Sequence, residues 1–206
     1  MSRLLRILVG SLAILAGVLV TSPSRAQTID QGWSDASTAT AIAAAASSVL
    51  MPRVFYSNPE ATVGWKARWH VSSLAPTMSA VSLAFLNESV LKPAFADPGP
   101  AGGFGLFSTE TYVASASLGQ GISVFLIDTL NNSGGKFHFG SLAGHVLLPL
   151  ALTGFTAGGR IASNEESGAQ VLGSVAVGAA TGLVFGLLYS TMLEPNCGYT
   201  GDLICW

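Results

Sequence analysis

Gln170-Val-Leu-Gly-Ser-Val-Ala-Val-Gly-Ala-Ala-Thr-Gly-Leu-Val-Phe-Gly-Leu-Leu-Tyr-Ser-Thr-Met-Leu193 carries no charge until Glu194. A helix of that length rises about 36 Å at about 1.5 Å per residue, enough to cross the hydrocarbon core of a bilayer. Gly178, Gly182 and Gly186 recur every four residues, so they share one helix face. Gly154 and Gly158 repeat the spacing one segment earlier. Glycine weakens a soluble helix by about 1 kcal/mol relative to alanine. In membrane bundles the same residue lets two backbones approach closely. The stripe therefore predicts tight packing, although 24 glycines produce some such pairs by composition alone.

Working outward, Ser141–Gly158 reads as an apolar helix with Pro149 as a kink point, and Gly159–Gly168 as a polar loop. Ser108 caps a helix over Thr111–Leu130, and Asn131–Gly140 is a polar turn. Val71–Leu91 is a further helix, followed by the Pro/Gly-rich loop Asp97–Phe107. Asp35–Leu50 is alanine-rich and helical, limited by Pro52. Between these two, Arg53–His70 reads as a connector whose Trp65, Lys66, Arg68 and Trp69 suit a membrane interface or a packed loop. No strand signal recurs. The fold class is all-α, a bundle of five to six apolar helices in one domain over residues 27–206.

Composition agrees with this reading. Charged residues are 10% of the 206 and apolar residues 50%, with a mean hydropathy of +0.53. A disordered chain needs the reverse balance. Nine Lys+Arg against eleven Asp+Glu leave no footprint for nucleic acid. A membrane protein or a compact exported helical protein fits.

The chain ends bear on location. Arg3 and Arg6, the apolar run Ile7–Val20 and the small residues Ser24 and Ala26 form an export signal over residues 1–26, or else a retained first membrane helix. With the N-terminus inside and six alternating segments, Arg3, Arg6, Arg53, Lys66, Arg68 and Lys136 fall inside and Arg25, Lys92 and Arg160 outside, as the positive-inside rule asks. Cys197 and Cys205 are the only cysteines, and after an export signal they predict one disulfide. The six-segment topology would leave them in the cytoplasm, where a disulfide does not persist. A soluble periplasmic domain would let them pair. The localisation expected is a bacterial-type cell envelope, multi-pass or soluble periplasmic.

Three loops fall at one end of such a bundle: Lys92-Pro-Ala-Phe-Ala-Asp-Pro-Gly99-Pro100, Phe107-Ser108-Thr109-Glu110-Thr111, and Gly159-Arg160 through Glu165-Glu166 to Gln170. Their order and spacing resemble the type-2 phosphatidic acid phosphatase superfamily, which includes vanadium haloperoxidases. Its motifs are Lys-x6-Arg-Pro, Pro-Ser-Gly-His and Ser-Arg-x5-His-x3-Asp, and the likeness covers about Val71–Leu193. Lys92, Pro100, Ser108 and Arg160 match. Gly99 stands at an arginine position, Glu110 and Glu166 at the two histidines, and Gln170 at the aspartate that orients the nucleophile.

The resemblance implies a helical bundle that binds phosphate through Lys92, Ser108 and Arg160, with catalytic positions at Glu166, Glu110 and Gln170. It implies a membrane lipid or a phosphorylated small molecule as partner, while no metal or other cofactor is expected from the residues, since adjacent loop carboxylates such as Glu165-Glu166 usually face solvent. Lysine and arginine hold phosphate by charge-assisted contacts, but a carboxylate beside them repels it. No register shift restores a histidine, because His70, His138 and His145 lie outside these loops. The expectation is therefore an impaired or inactive phosphatase-like site in which Glu110 and Glu166 pair with Lys92 and Arg160. Two alternatives stand beside it: an active phosphatase with an altered site, and an unrelated structural or binding helical membrane protein. Glu165-Glu166 as an adjacent pair reads as solvent-facing.

Overall fold

The computed structural model describes residues 28–55, 63–91, 94, 107–127, 129 and 137–193, with side chains over 28–51, 74–91, 94, 107–127, 129 and 137–189. These residues are helical apart from short helix-flanking stretches and the turn over residues 163–167, without a strand among them. Helix α1 spans Gln31–Phe55. Helix α2 spans Val63–Leu86 and ends in a π turn at Asn87–Leu91. Helix α3 spans Thr109–Ile127. Helix α4 combines Phe139–Leu142, a π turn at Ala143–Leu147 and Leu148–Ala162. Helix α5 spans Gly168–Leu193. The expected export signal or first membrane helix over residues 1–26, Lys92, Gly99, Pro100, Asp128 and the two cysteines lie outside the described residues.

Several boundaries move from the sequence expectation. Helix α1 starts four residues early because Asp30 caps it, its Oδ1 accepting from the Gly32 and Trp33 amides at 3.0 and 3.3 Å. It also runs through Pro52 to Phe55, since a proline forfeits one helical bond and need not end a helix whose neighbours hold it. The segment expected as a connector is helical backbone from Val63. Lys66, Ala67 and Arg68 are good helix formers, and no proline intervenes before Pro76. Helix α4 extends to Ala162, taking Arg160 into its last turn. Pro149 cannot donate to the carbonyl four residues back, that of His145, and the helix ahead of it widens into the π turn. The His145 carbonyl faces Gly121, where an added Cβ would lie 1.8 Å from it.

Helix α3 is the axis of the bundle. It packs against the other four helices, and 13 of its 19 residues are buried. Helices α1, α3 and α5 run one way and α2 and α4 the other. Thr40 bonds Thr156 (2.9 Å) and Thr153 bonds the Ala114 carbonyl (3.0 Å), across antiparallel pairs. Ser115 donates to the Ser174 carbonyl at 3.0 Å, across the parallel pair α3–α5.

The burial pattern is inverted relative to a water-soluble core. Buried positions are dominated by Ser, Thr and Ala: Ser48, Thr77 and Gln120 form a buried hydrogen-bonded chain from α1 through α2 to α3, with distances of 2.9 and 2.7 Å. The large apolar side chains point outward, Phe85 at 73% exposure, Phe139 at 68%, Phe155 at 67% and Ile42 at 66%. Small residues inside and hydroxyls bonding between helices are how membrane bundles pack. Three helical segments, Leu74–Leu91, Phe139–Ala162 and Gly168–Tyr189, are long and apolar enough to cross a bilayer.

The glycine stripe of α5 packs as its spacing predicts. A Cβ at Gly178 would meet Ser115 Oγ at 2.1 Å, at Gly182 the Ala116 carbonyl at 1.8 Å, and at Gly186 Ser123 Oγ at 1.9 Å. The stripe of α4 is not packed by the described residues, none of which lies within 4 Å of a Cβ at Gly154 or Gly158. Equal spacing on two helices therefore has two different outcomes, because only the α5 face meets α3.

Candidate functional site

The alternating helix directions bring the starts of α1, α3 and α5 and the ends of α2 and α4 to one end of the bundle. Arg160 lies there, in the last turn of α4, where a cation faces the negative end of the helix dipole. The helix stops at Ser163, and Asn164 takes a left-handed φ of 61°. Asparagine tolerates that conformation better than most residues and is a common helix terminator. The reversal folds Glu165 and Glu166 back onto the arginine one turn above them.

Arg160 is the hub. Its Nη2 donates to Glu166 Oε1 at 3.1 Å, and its Nη1 pairs with Glu165 and lies 3.4 Å from Glu110 Oε1. The Arg160 side chain is 9% exposed, Glu166 8%, Glu165 19% and Glu110 26%. Ser34 of α1 donates to Glu165 Oε1 at 2.9 Å. Burial pushes the Glu166 carboxyl above the ordinary value of 4.5, and Glu110 adds to the rise, while Arg160 and Ser108 oppose it. Among the described residues one cation thus faces three carboxylates.

Ser108 lies beside this cluster as the cap of α3. Its Oγ accepts from the Thr111 amide at 3.2 Å and donates to Thr111 Oγ1 at 2.8 Å, and its own amide donates to Ser174 Oγ at 2.6 Å. Gln170 caps α5. Its Oε1 accepts from the Ser167 amide at 2.8 Å, while Ser167 Oγ accepts from the Gln170 amide at 3.3 Å. That reciprocal pair is a capping box, legible in Ser167-Gly-Ala-Gln170. On the α2 side, Asn87 donates to the Phe107 carbonyl at 3.2 Å and to Thr109 Oγ1 at 3.3 Å, and Thr109 bonds Glu88.

Of the residues expected in the site, Ser108, Glu110, Arg160, Glu166 and Gln170 fall at this end, and Lys92 lies outside the described residues. Glu165 is a correction. Expected as solvent-facing, it is mostly buried against Arg160, because the Asn164 turn reverses the chain. Ser34 and Asn87 carried no signal in the sequence, since serine in a capped helix and asparagine at a helix end read as ordinary. His138 is exposed at the opposite end and His145 is buried there, its Nδ1 3.0 Å from the Ser141 carbonyl.

Chemically, the terminal nitrogens of Arg160 are directed at carboxylates rather than at an open space. Among the described residues no group of three His, Cys, Asp or Glu side chains has the geometry of a metal site. No protein-family model, curated protein or solved structure matches the chain.

Proposed function

We propose that this chain is a multi-pass protein of the cell envelope, a phosphatidic acid phosphatase-like bundle whose phosphate pocket is retired and filled from within. The observation that carries the reading is the triple engagement of Arg160 by Glu110, Glu165 and Glu166. In the proposed ancestry Arg160 held a phosphate oxygen. Here glutamate carboxylates take the place of that anion, and two of them occupy the positions of the acid and the nucleophile. An incoming phosphate would meet excess negative charge. Glu166 as a covalent nucleophile would need an orienting partner, and Gln170 is engaged in the helix cap. The role left to the protein is structural or ligand-binding within the membrane, through the bundle and its end loops.

Phosphate release by the purified protein tests this. Phosphatidic acid, other phospholipid phosphates and a chromogenic monoester should all remain intact. Turnover that disappears in the Lys92→Ala/Arg160→Ala double variant would overturn the proposal and mean that a carboxylate or water has replaced histidine.

A further inference from the structure

Helix α4 presents an open apolar groove on the outside of the bundle. It is formed by Ala151, Gly154, Phe155, Gly158 and Ala162 with Trp33 of α1 along its edge. Its floor is a stripe of small residues with none of the described residues within 4 Å of a Cβ at Gly154 or Gly158, and its walls are two large aromatic side chains, Trp33 at 49% and Phe155 at 67% exposure.

The chain itself supplies a matching occupant. The Asp30 amide bonds the Ser163 carbonyl at 3.0 Å, so the described chain begins at the end of α4, beside the groove. Residues 7–24 of the preceding sequence are uncharged. As a helix they would rise about 27 Å, against about 17 Å for the groove from Ala151 to Ala162. Gly10, Ala13 and Gly17 are spaced by three and four, and so are Ala151, Gly154 and Gly158. Two parallel helices with these stripes in register would bring small residue against small residue at every step, which allows close backbone approach. The direction agrees: with six alternating segments the first and α4 cross the membrane the same way.

We infer that the N-terminal apolar segment is retained as a membrane helix and docks, parallel to α4, in the Ala151–Gly154–Gly158 groove. It completes the bundle as a sixth helix and covers the one small-residue stripe that α3 does not meet. The inference concerns the outer face of α4 and holds whether or not the Arg160 end is a retired phosphate site.

Disulfide trapping in native membranes tests it, on the full chain carrying Cys197→Ser and Cys205→Ser. In register, Thr21 lies level with Ala162. The Thr21→Cys/Ala162→Cys pair should form an intramolecular cross-link on oxidation. The Leu19→Cys/Ala162→Cys pair, with its first cysteine about 200° round the helix, should stay at background. Adding Gly158→Leu, which fills the groove, should abolish the cross-link while both glutamate and glycine contacts of α3 remain. Three results would overturn the inference: a membrane-retained protein whose N-terminus is Gln27, equal cross-linking by both pairs, or a disulfide-linked dimer from Ala162→Cys alone. The last would mean that a second copy occupies the groove.

Discussion

Among the described residues Arg160 is a single cation facing three carboxylates, and its burial makes that balance consequential. An ion pair taken out of water recovers its desolvation cost only while its partners are present. Replacing Arg160 by methionine leaves Glu165 and Glu166 without their cation, which should cost about 3–5 kcal/mol and appear as a large drop in melting temperature in detergent. Glu110→Gln, at the most exposed of the three carboxylates, should cost much less. Equal effects would show that the cluster is not organised around the arginine. Glu166 also sets a pH dependence. Its folded carboxyl titrates above the unfolded value of 4.5, so between those values the folded protein binds more protons than the unfolded one. The stability that this group contributes is therefore fully present below pH 4.5 and is lost as pH rises through the folded value. The melting temperature of Glu166→Gln relative to the parent protein should climb as pH is raised from about 4.5 toward neutrality. A fall over that range would contradict the sign.

At the scale of elements, the α3–α5 contact depends on absent side chains. Gly182 lies against the Ala116 carbonyl, a backbone atom that cannot turn aside. Gly182→Ala should force the helices apart and destabilise the bundle by about 1–3 kcal/mol, the usual range for overpacking. Gly173→Ala is the contrasting case: its Cβ would meet only the Phe107 ring, at 3.2 Å. The ring can rotate, and alanine favours the helix, so thermal unfolding should show little change or a gain. The sequence displayed both glycine stripes with the same spacing. Which one packs depended on where α3 lay, and periodicity along one helix does not contain that information.

For the whole molecule, the inverted burial is the governing fact. A protein that exposes Phe85, Phe139, Phe155 and Ile42 while burying Ser48, Thr77, Ser115 and Thr153 matches a solvent of lipid better than water. Carbonate washing of cells expressing the chain should leave it in the membrane pellet. Release into the supernatant would favour the soluble periplasmic alternative. The inter-helix hydroxyl bonds are individually small, about 0.6 kcal/mol on average for such contacts in a membrane protein. Their value is in fixing which helix faces which.

Low charge, long apolar runs and the absence of strand patterning were enough to specify an all-helical chain, because those features reflect local propensity and the solvent each segment prefers. The five described helices could be counted from the same signals, although capping by Asp30 and continuation through Pro52 moved their ends. The residue types at Ser108, Glu110, Arg160 and Glu166 were also legible, and so was their grouping at one end, since antiparallel neighbours return every second loop to the same side. The cap that Gln170 closes is local to Ser167-Gly-Ala-Gln170, whereas tertiary structure alone decided that Glu165 turns inward and that Arg160 is shared among three carboxylates. Each of these depends on a backbone reversal at Asn164 or on a partner from a distant helix. Such contacts are set by the packing of the assembled bundle, and a linear pattern of residues does not encode them one by one.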